Sequence, residues 1–420
     1  MKILHVLQFS LPRLYGYSIR SDAVLRAQKA HGLDVVALTG AVEDMGQGRR
    51  EEINGIRYYR TPGGIKHSLR GLREWKLHRY LLRQLMEVAE IERPDVIHVH
   101  SPAYNALAAL AVARRRKVPC VYEMRAVWED AAADRKEVRT ASLQYKAAHM
   151  LETYVLKRCS AVVTICQGLK QEVLSRGISA NKIVVVPNAV DLDAFEPRPC
   201  DAALGAELGL DGGPLVAYIG SLFGYEGVED LLDAVPGVLE LIPKARFLVV
   251  GGGERQEEVR QRTVHMRDPR VRYIPRVAHE RVPAFYSVAD CLVYPRRSVR
   301  LTELVTPLKL LEAMAMEKPV VATDIGGHRE MITHQKTGLL YRAASASALI
   351  TTLCGALLDP ASLKKLARAG RDYVRAHRNW QVTTASYLPL YESLLKEGAR
   401  SDWILPSWRG SARSNERCEL

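Results

Sequence analysis

A regular alternation of short β-rich runs with helical segments is the feature that most constrains the fold. In the first half, apolar and β-branched runs predict strands at residues 2–7, 35–38, 95–99, 118–122, 161–165 and 182–186. Helical patterns lie between them, for example at residues 19–31 and 144–156. Because strands that alternate with helices form βαβ units, this half is predicted to be an α/β domain with a parallel sheet.

The alternation stops at a turn-rich segment and then returns. Residues 187–197 are rich in proline, asparagine and aspartate, and a polar segment follows as far as Pro214. A second set of strands is predicted at residues 215–219, 247–250, 271–274, 291–294, 320–322 and 338–341, with helices near 227–241, 307–316 and 363–376. The fold class is therefore α/β, with two Rossmann-like, doubly wound domains that face a central cleft.

These patterns place the boundaries of the domains. We predict a first domain at residues 1–190, a linker at 191–213 and a second domain at 214–379. An amphipathic helix at 380–399 is expected to cross back onto the first domain, and the polar tail at 400–420 is expected to be weakly ordered.

Charge and cysteine content narrow the class of protein. The formal net charge of +13 and pI of about 9.4 favour an anionic partner: nucleic acid, an acidic membrane surface or a phosphorylated substrate. The chain has 7 cysteines, an odd number, and none of them forms a C-x-x-C pair. A disulfide framework is therefore not expected, and a reducing compartment is the better interpretation. The longest clearly apolar run, at residues 104–113, is far shorter than the roughly 20 residues of a membrane span, so we expect a cytoplasmic protein.

The segment around residue 306 predicts a phosphate site. Thr306 followed by Pro307 is typical of a helix start, with an N-cap oxygen and then proline at the first helical position. Lys309 then brings a positive charge to the positive end of the helix, and three more cations lie just upstream: Arg296, Arg297 and Arg300. Such crowding is explained by a bound phosphate or diphosphate, and the alternative is a solvated basic loop. Glu312 follows on the same helix face, where its carboxylate would suit ribose hydroxyls.

Other candidate residues follow predicted strands. The glycines Gly326 and Gly327 would let backbone N–H groups approach sugar or phosphate oxygens, and Gly16 opens a helix after the first strand. Glu123, Arg125 and Trp128 follow a strand of the first domain and are candidates for contacts to a second substrate. The Asp191-x-Asp193 pair resembles a metal motif, but in a linker it is better explained as a turn, so no metal site is predicted.

Residues 66–83 form a basic helical segment with six lysines and arginines against a single acid, interleaved with leucines, Trp75 and Tyr80. This pattern is typical of a helix on an anionic membrane surface, and the alternative is an ordinary amphipathic helix.

Several motifs together resemble the retaining glycosyltransferases of family 4. They are the segments 187–195, 251–254, 307–315 and 324–330, together with the His98-Val-His100-Ser-Pro102 sequence in the first half. Tyr225-Glu-Gly227 and Thr306-Pro-Leu-Lys309 are most similar to a subgroup found with exosortase-type exopolysaccharide systems. The resemblance implies the GT-B fold and a metal-independent transferase without a cofactor, whose first domain binds the acceptor.

The resemblance also implies roles for individual residues. His100 would contact the donor sugar, and Arg276 would lie where such enzymes hold the base. Strand alternation, by contrast, predicts that His98 points the other way and packs in the core. The sequence departs from the family where Leu304 replaces the first glutamate of the usual pair. Either Glu303 fills this role from a shifted loop, or the role is absent and Lys309 takes over the phosphate contact. The usual Lys-Gly of the donor site is replaced by Glu226-Gly227.

The sequence therefore predicts transfer of a sugar from a nucleoside diphosphate sugar to a lipid-linked saccharide, at the inner face of a membrane and without nucleic acid. Two alternatives stay open at this point: a nucleotide-sugar epimerase of similar architecture, and a basic nucleic-acid-binding module.

Overall fold

The computed structural model of the protein describes residues 1–13, 16–40, 50–61, 72–130, 142–209 and 212–398. Within these ranges the first domain contains eight strands: β1 (Lys2–Leu7), β2 (Asp34–Thr39), β3 (Arg50–Ile53), β4 (Ile56–Arg60), β5 (Val96–His100), β6 (Cys120–Met124), β7 (Ala161–Thr164) and β8 (Ile183–Val185). Their order is β3-β4-β2-β1-β5-β6-β7-β8, and all neighbours are parallel except β3 with β4. Its helices are α1 (Gly16–Ala30), α2 (Leu72–Glu92), α3 (Ala103–Arg116), α4 (Leu143–Arg158) and α5 (Gln167–Ser175).

The second domain is a parallel sheet with helices on both faces. Its strands are β9 (Leu215–Ile219), β10 (Arg246–Val250), β11 (Val271–Ile274), β12 (Cys291–Tyr294), β13 (Val320–Thr323) and β14 (Leu339–Tyr341), in the order β11-β10-β9-β12-β13-β14. Its helices are α6 (Ala202–Leu208), α7 (Val228–Leu241), α8 (Gln256–Met266), α9 (Val282–Val288), α10 (Arg300–Leu304), α11 (Leu308–Ala315), α12 (Gly326–Arg329), α13 (Ala346–Leu358) and α14 (Pro360–His377). The prediction of two doubly wound α/β domains is confirmed.

Both sheets have a switch point where the chain changes direction along the sheet. In the first domain it lies between β1 and β5, and in the second between β9 and β12. Ligands of open α/β sheets bind beyond the carboxyl ends of the strands at such points. The residues that follow these four strands are therefore where a site is expected.

The chain crosses between the domains twice, and the two crossings lie side by side. Val190 donates its N–H to the carbonyl of Arg378 at 2.9 Å. The segment 191–213, predicted as a linker, includes α6, and its Phe195 and Leu204 are buried in the core of the second domain.

The final helices, α15 (Trp380–Thr384) and α16 (Tyr387–Gly398), pack on the first domain. Trp380, Tyr387 and Tyr391 lie in the same apolar cluster as Ile3 and Val24. The tail at 400–420 and residues 66–71 of the basic segment lie outside the described residues. Among those described, no single helix is long and apolar enough to cross a membrane. The bent pair α13–α14 meets the length and composition of a span, and only those two criteria.

Candidate active site between the two domains

The carboxyl ends of β9 and β12 hold a compact charged group, here called the Glu226 cluster: Tyr218, Glu226, Arg296 and Lys309. Glu226 is buried, and its Oε2 lies 2.5 Å from Lys309 Nζ and 3.2 Å from Arg296 Nε. Lys309 Nζ also donates to the hydroxyl of Tyr218 at 2.7 Å. Two cations thus share one carboxylate at the switch point, which leaves the group with one net positive charge.

Backbone geometry fixes this arrangement. Gly227 has φ +66°, and a Cβ there would lie 2.1 Å from the carbonyl of Pro295, so only glycine allows the turn that places Glu226. Gly220, which follows β9, is packed against Lys309: a Cβ would lie 2.8 Å from the Lys309 Cδ. The Lys309 ammonium therefore lies at the glycine turn after β9.

The electrostatics of the cluster follow from burial. Burial alone would raise the pKa of Glu226, but Arg296 and Lys309 hold it below its usual range. Burial lowers the pKa of Lys309 to about 8, although Glu226 opposes this shift. Both groups are charged near neutral pH, so the cluster offers a desolvated cation to a phosphate.

The predicted crowding of four cations was wrong. Only Arg296 and Lys309 share a partner, since Arg297 pairs with Asp230 at 2.7 Å. Arg300 reaches the first domain instead, where it contacts Asp130 at 2.5 Å and Glu172 at 2.6 Å. It therefore joins the domains across the cleft.

The predicted helix start was also wrong by one residue. Helix α11 begins at Leu308 with Pro307 as its N-cap, and no side chain caps it. Thr306 instead accepts from Asn188 Nδ2, at 2.8 Å on its carbonyl and 3.2 Å on its hydroxyl. It ties the helix start to the interdomain crossing.

Glu303 is hydrogen-bonded to the backbone of the glycine pair Gly326-Gly327. Glu303 Oε2 accepts from the Gly326 N–H at 2.6 Å, and its Oε1 accepts from Ser298 at 2.6 Å. A Cβ on Gly326 would lie 2.2 Å from the Glu303 carbonyl, and one on Gly327 would lie 2.4 Å from the Val305 carbonyl. In this conformation the glycines are required by packing, and the Gly326 N–H is already occupied by Glu303.

Glu312 lines a cavity of about 240 Å³ between the domains, which Phe195, His279 and Trp380 also line. Its Oε2 accepts from the Tyr286 hydroxyl at 3.1 Å. Burial raises the pKa of Glu312, although His279 and the Tyr286 hydroxyl oppose the shift. A carboxyl group that faces this cavity is available to hydroxyl groups of a ligand.

The two remaining candidates for the donor site are Arg276 and Gly16, which the contacts described above do not include. Arg276 is exposed after β11, with its Cβ close to Gly252. Gly16 is the first residue of α1, and a Cβ there would meet nothing within 4 Å, so packing does not require glycine.

Three histidines lie side by side at the switch point of the first domain. The rings of His98 and His100 stack with centroids 4.5 Å apart, and His5 lies 4.9 Å from His98. The prediction that His98 points away from His100 was wrong, because residues two apart on a strand share a face. All three side chains are completely buried.

Hydrogen bonds fix the protons on two of these rings. Arg125 Nη2 donates to His100 Nδ1 at 2.7 Å, and because arginine only donates, His100 carries its proton on Nε2. The His100 Nε2–H group donates a hydrogen bond to His5 Nδ1 at 2.8 Å. His5 Nε2 in turn donates to Gln28 Oε1 at 2.8 Å. His100 and His5 are therefore neutral, and both ring nitrogens of each have a hydrogen-bond partner.

The chain of bonds continues into α16. Gln28 Nε2 donates to the Tyr391 hydroxyl at 3.1 Å, which donates to His98 Nδ1 at 2.6 Å. His98 Nε2 then faces Glu123 Oε2 at 3.5 Å, and the Tyr387 hydroxyl donates to that same oxygen. The final helix is thus fastened to the first domain by polar contacts inside the core.

Glu123 closes the network, since its Oε1 accepts from Arg125 Nε at 3.0 Å and Arg20 Nε at 3.2 Å. Burial alone would raise its pKa, but Arg20 and Arg125 hold the pKa well below its usual range. The structure does not agree with the predicted sugar contact of His100 or with the predicted acceptor contacts of Glu123 and Arg125. These three side chains are buried, and Arg125 is hydrogen-bonded to both of the others.

One ring nitrogen from each of His5, His98 and His100 lies within 4.8 Å of the other two, the one such group found among the described residues. They do not fit a metal ion, because both nitrogens of His5 and of His100 have hydrogen-bond partners and Arg125 donates into the group. Asp191 Oδ1 accepts from the N–H groups of Asp193 and Ala194, both at 3.2 Å, as in a turn.

Trp128, the third predicted acceptor residue, lines a cavity on the first domain. Sequence reasoning missed His5, Gln28, Tyr218 and Tyr391 as partners in these networks. A histidine in the middle of an apolar strand, as at position 5, was the available signal for a buried polar group.

Comparison with known proteins agrees with this architecture. Residues 16–189 match the family described as glycosyl transferase 4-like domain, and residues 213–359 match glycosyl transferases group 1. A GDP-mannose-dependent alpha-(1-6)-phosphatidylinositol monomannoside mannosyltransferase of Mycobacterium tuberculosis is 27% identical over 70% of this chain and 81% of that protein. A glycogen synthase of the same species is 25% identical over 71% of this chain and 69% of that protein.

Solved structures show the same fold. Sucrose-phosphate synthase from Thermosynechococcus elongatus superposes with a TM-score of 0.77 at 22% identity, over 94% of this chain and 99% of that one. Anabaena HepE in complex with UDP-glucose superposes with a TM-score of 0.72 at 16% identity, over 94% and 100%.

Proposed function

Because the chain belongs to the group 1 glycosyltransferases, with a glycosyltransferase 4-like first domain, we propose that it is a retaining, metal-independent enzyme. It transfers a sugar from a UDP- or GDP-linked donor to a hydroxyl of a lipid-linked saccharide, in polysaccharide or glycoconjugate synthesis. The relatives named above include one that uses GDP-mannose and acts on a phosphatidylinositol mannoside, and a neighbour bound to UDP-glucose.

The Glu226 cluster is the observation that carries the donor side of this proposal. It lies at the switch point of the second sheet, with the Lys309 ammonium against the Gly220 turn. The departing diphosphate develops negative charge, and a buried cation stabilises that charge without having to reorganise. In this proposal Lys309 and Arg296 take the leaving phosphates, and Glu312 binds the ribose hydroxyls.

Nucleotide binding tests the donor site. In EDTA, one nucleotide among UDP, GDP, ADP and CMP is expected to raise the melting temperature, since a ligand at 100 times its Kd stabilises by about 2.7 kcal/mol. Lys309→Ala should weaken binding of the nucleoside diphosphate much more than it weakens binding of the corresponding nucleoside. Lys318→Ala is the matched control, because Lys318 lies beyond the far end of the same helix and its ammonium donates to the Ser287 carbonyl at 2.8 Å, away from the Glu226 cluster. A melting curve unchanged by all four nucleotides would contradict the proposed donor site.

An exposed aromatic and basic surface on the first domain supports the proposal of a lipid-linked acceptor. On α2 the Trp75 ring is 53% exposed, and the Arg79 guanidinium lies 4.7 Å from its centroid. Helix α3 packs against α2 and ends in three arginines, of which Arg114 and Arg115 are exposed. An exposed tryptophan among cations is suited to an anionic bilayer surface.

Liposome sedimentation tests this surface. Replacing both Trp75 and Arg79 by alanine should reduce binding to anionic vesicles several-fold, because each basic group near the surface contributes about 1 kcal/mol. Binding to neutral vesicles should change little. Exchange of the exposed Arg260 and Arg262 on the second domain is the control. Equal sedimentation of the double variant and the wild type would exclude α2 as the contact.

A further inference from the structure

A second cavity, of about 230 Å³, lies on the first domain where β5 and β6 end. We propose that this cavity, the Trp128 pocket, binds one sugar ring of the acceptor saccharide; the inference rests on the proposed transferase function and names a subsite for it. Among the described residues, three parts of the chain line the pocket: the segment 102–104 after β5, Trp128 and Glu129 after β6, and one face of α4.

The lining combines aromatic rings with hydrogen-bonding groups. Tyr104, Trp128 and Tyr145 contribute rings, and Tyr104 is partly exposed at 37%. Trp128 Nε1 is buried and has no hydrogen-bond partner among the described residues. Since an unmet buried donor costs about 1–3 kcal/mol, a ligand oxygen there would be favoured. Aromatic faces with a few polar groups at their edges suit a sugar, whose C–H faces are apolar and whose rim carries hydroxyls.

Glu152 supplies a second polar group at the pocket wall. Its Oε1 accepts from the Tyr122 hydroxyl at 2.6 Å, and burial raises its pKa to about 7. A carboxyl group that titrates near neutral pH both donates and accepts, as sugar hydroxyls do. Glu129, by contrast, is held by Arg176 at 2.8 Å and His149 at 3.1 Å.

Size and position favour a single ring. The pocket is smaller than the roughly 300–1,000 Å³ of sites for drug-sized ligands, so it does not enclose an oligosaccharide or a long lipid chain. It lies at the sheet edge that faces the second domain: Asp130, two residues after Trp128, is the partner of Arg300. A sugar held here would therefore lie near the contact between the two domains.

The indole N–H signals test this inference directly. In protein labelled with ¹⁵N-tryptophan, the signal that is absent from Trp128→Phe identifies the Trp128 N–H. Titration with methyl glycosides of glucose, galactose, mannose and N-acetylglucosamine should move that signal downfield with at least one sugar. Trp128→Phe keeps the ring but removes the N–H, and should weaken binding of that sugar about 3- to 10-fold, the loss of one hydrogen bond. Val264→Ala, at an exposed position of α8 in the second domain, is the control and should leave the affinity unchanged.

A Trp128 signal that stays fixed with all four glycosides overturns the proposal. So does a shift produced by a short prenol or a detergent but by none of the sugars, since the pocket would then take an apolar group. The result is separable from the donor-site test: a sugar shift without nucleotide stabilisation keeps the Trp128 pocket and removes the donor site, and the reverse outcome removes only the pocket.

Discussion

Replacing Glu226 by alanine should destabilise the unliganded protein by about 3–5 kcal/mol, because it leaves two buried cations without their shared carboxylate. The side chains of Arg296 and Lys309 are only 6% and 11% exposed, so water cannot easily replace the lost partner. The loss would be seen as a lower urea midpoint. Glu226→Gln, which keeps the shape and a carbonyl acceptor, should cost less.

The same variant should respond more strongly to nucleotide. Removing Glu226 raises the net charge of the cluster from one to two positive charges, and a bound diphosphate would then supply the missing anion. The stabilisation by the nucleotide that binds is therefore expected to be larger in Glu226→Ala than in the wild type. Asp233→Ala, which removes one of the two carboxylate partners of Arg262 on the surface, is the control and should change neither quantity appreciably. A variant that is destabilised but binds nucleotide more weakly would show that Glu226 itself helps to hold the donor.

Acidification from pH 7 to pH 5 should lower the free energy of unfolding by about 2 kcal/mol or more. Burial lowers the pKa of His5 to about 3, and that of His328 to about 3 as well, from an ordinary value of 6.5. With the folded-state pKa below that of the unfolded chain, the unfolded state takes up more protons, and stability is lost as the pH falls below 7. Each of the two costs roughly 2 kcal/mol at pH 5, and His98 and His100 add in the same direction.

Glu152 acts in the opposite direction. Its pKa is raised to about 7, so the folded state binds a proton that the unfolded state does not, and about 2 kcal/mol is gained between pH 7 and pH 5. Glu312, whose pKa burial also raises, contributes with the same sign. Urea unfolding at the two pH values measures the balance, and Glu152→Gln should steepen the loss by about 2 kcal/mol. A wild-type protein as stable at pH 5 as at pH 7 would contradict the neutral histidine network.

The strands could be predicted closely from the sequence. Strands β1, β9, β11 and β12 have the predicted bounds, because buried parallel strands are continuous apolar runs. The β3–β4 hairpin was missed, since Arg-Glu-Glu-Ile and Ile-Arg-Tyr-Tyr-Arg carry the charges typical of a sheet edge and lack an apolar run.

The candidate site could be predicted only in part, because its partners are distant in sequence. Lys309 was singled out by its place at a helix start, but its carboxylate partner lies 83 residues away. His98 and Tyr391 are 293 residues apart, so no local pattern reveals that the tyrosine orients the histidine. Periodicity reports which face of an element is buried, whereas pairing of buried charges depends on how distant elements pack.

The place of α16 in the first domain has a consequence for synthesis. Tyr387 and Tyr391 are wholly buried beside Val24 and Ile3, so the core of the first domain is incomplete until they have been made. At about 5–20 residues per second, a ribosome needs roughly 10–40 s to go from the end of that domain to these tyrosines. During this interval the nascent first domain would expose an apolar groove with the imidazole of His98 and the carboxylate of Glu123 at its base, a surface on which a chaperone could act.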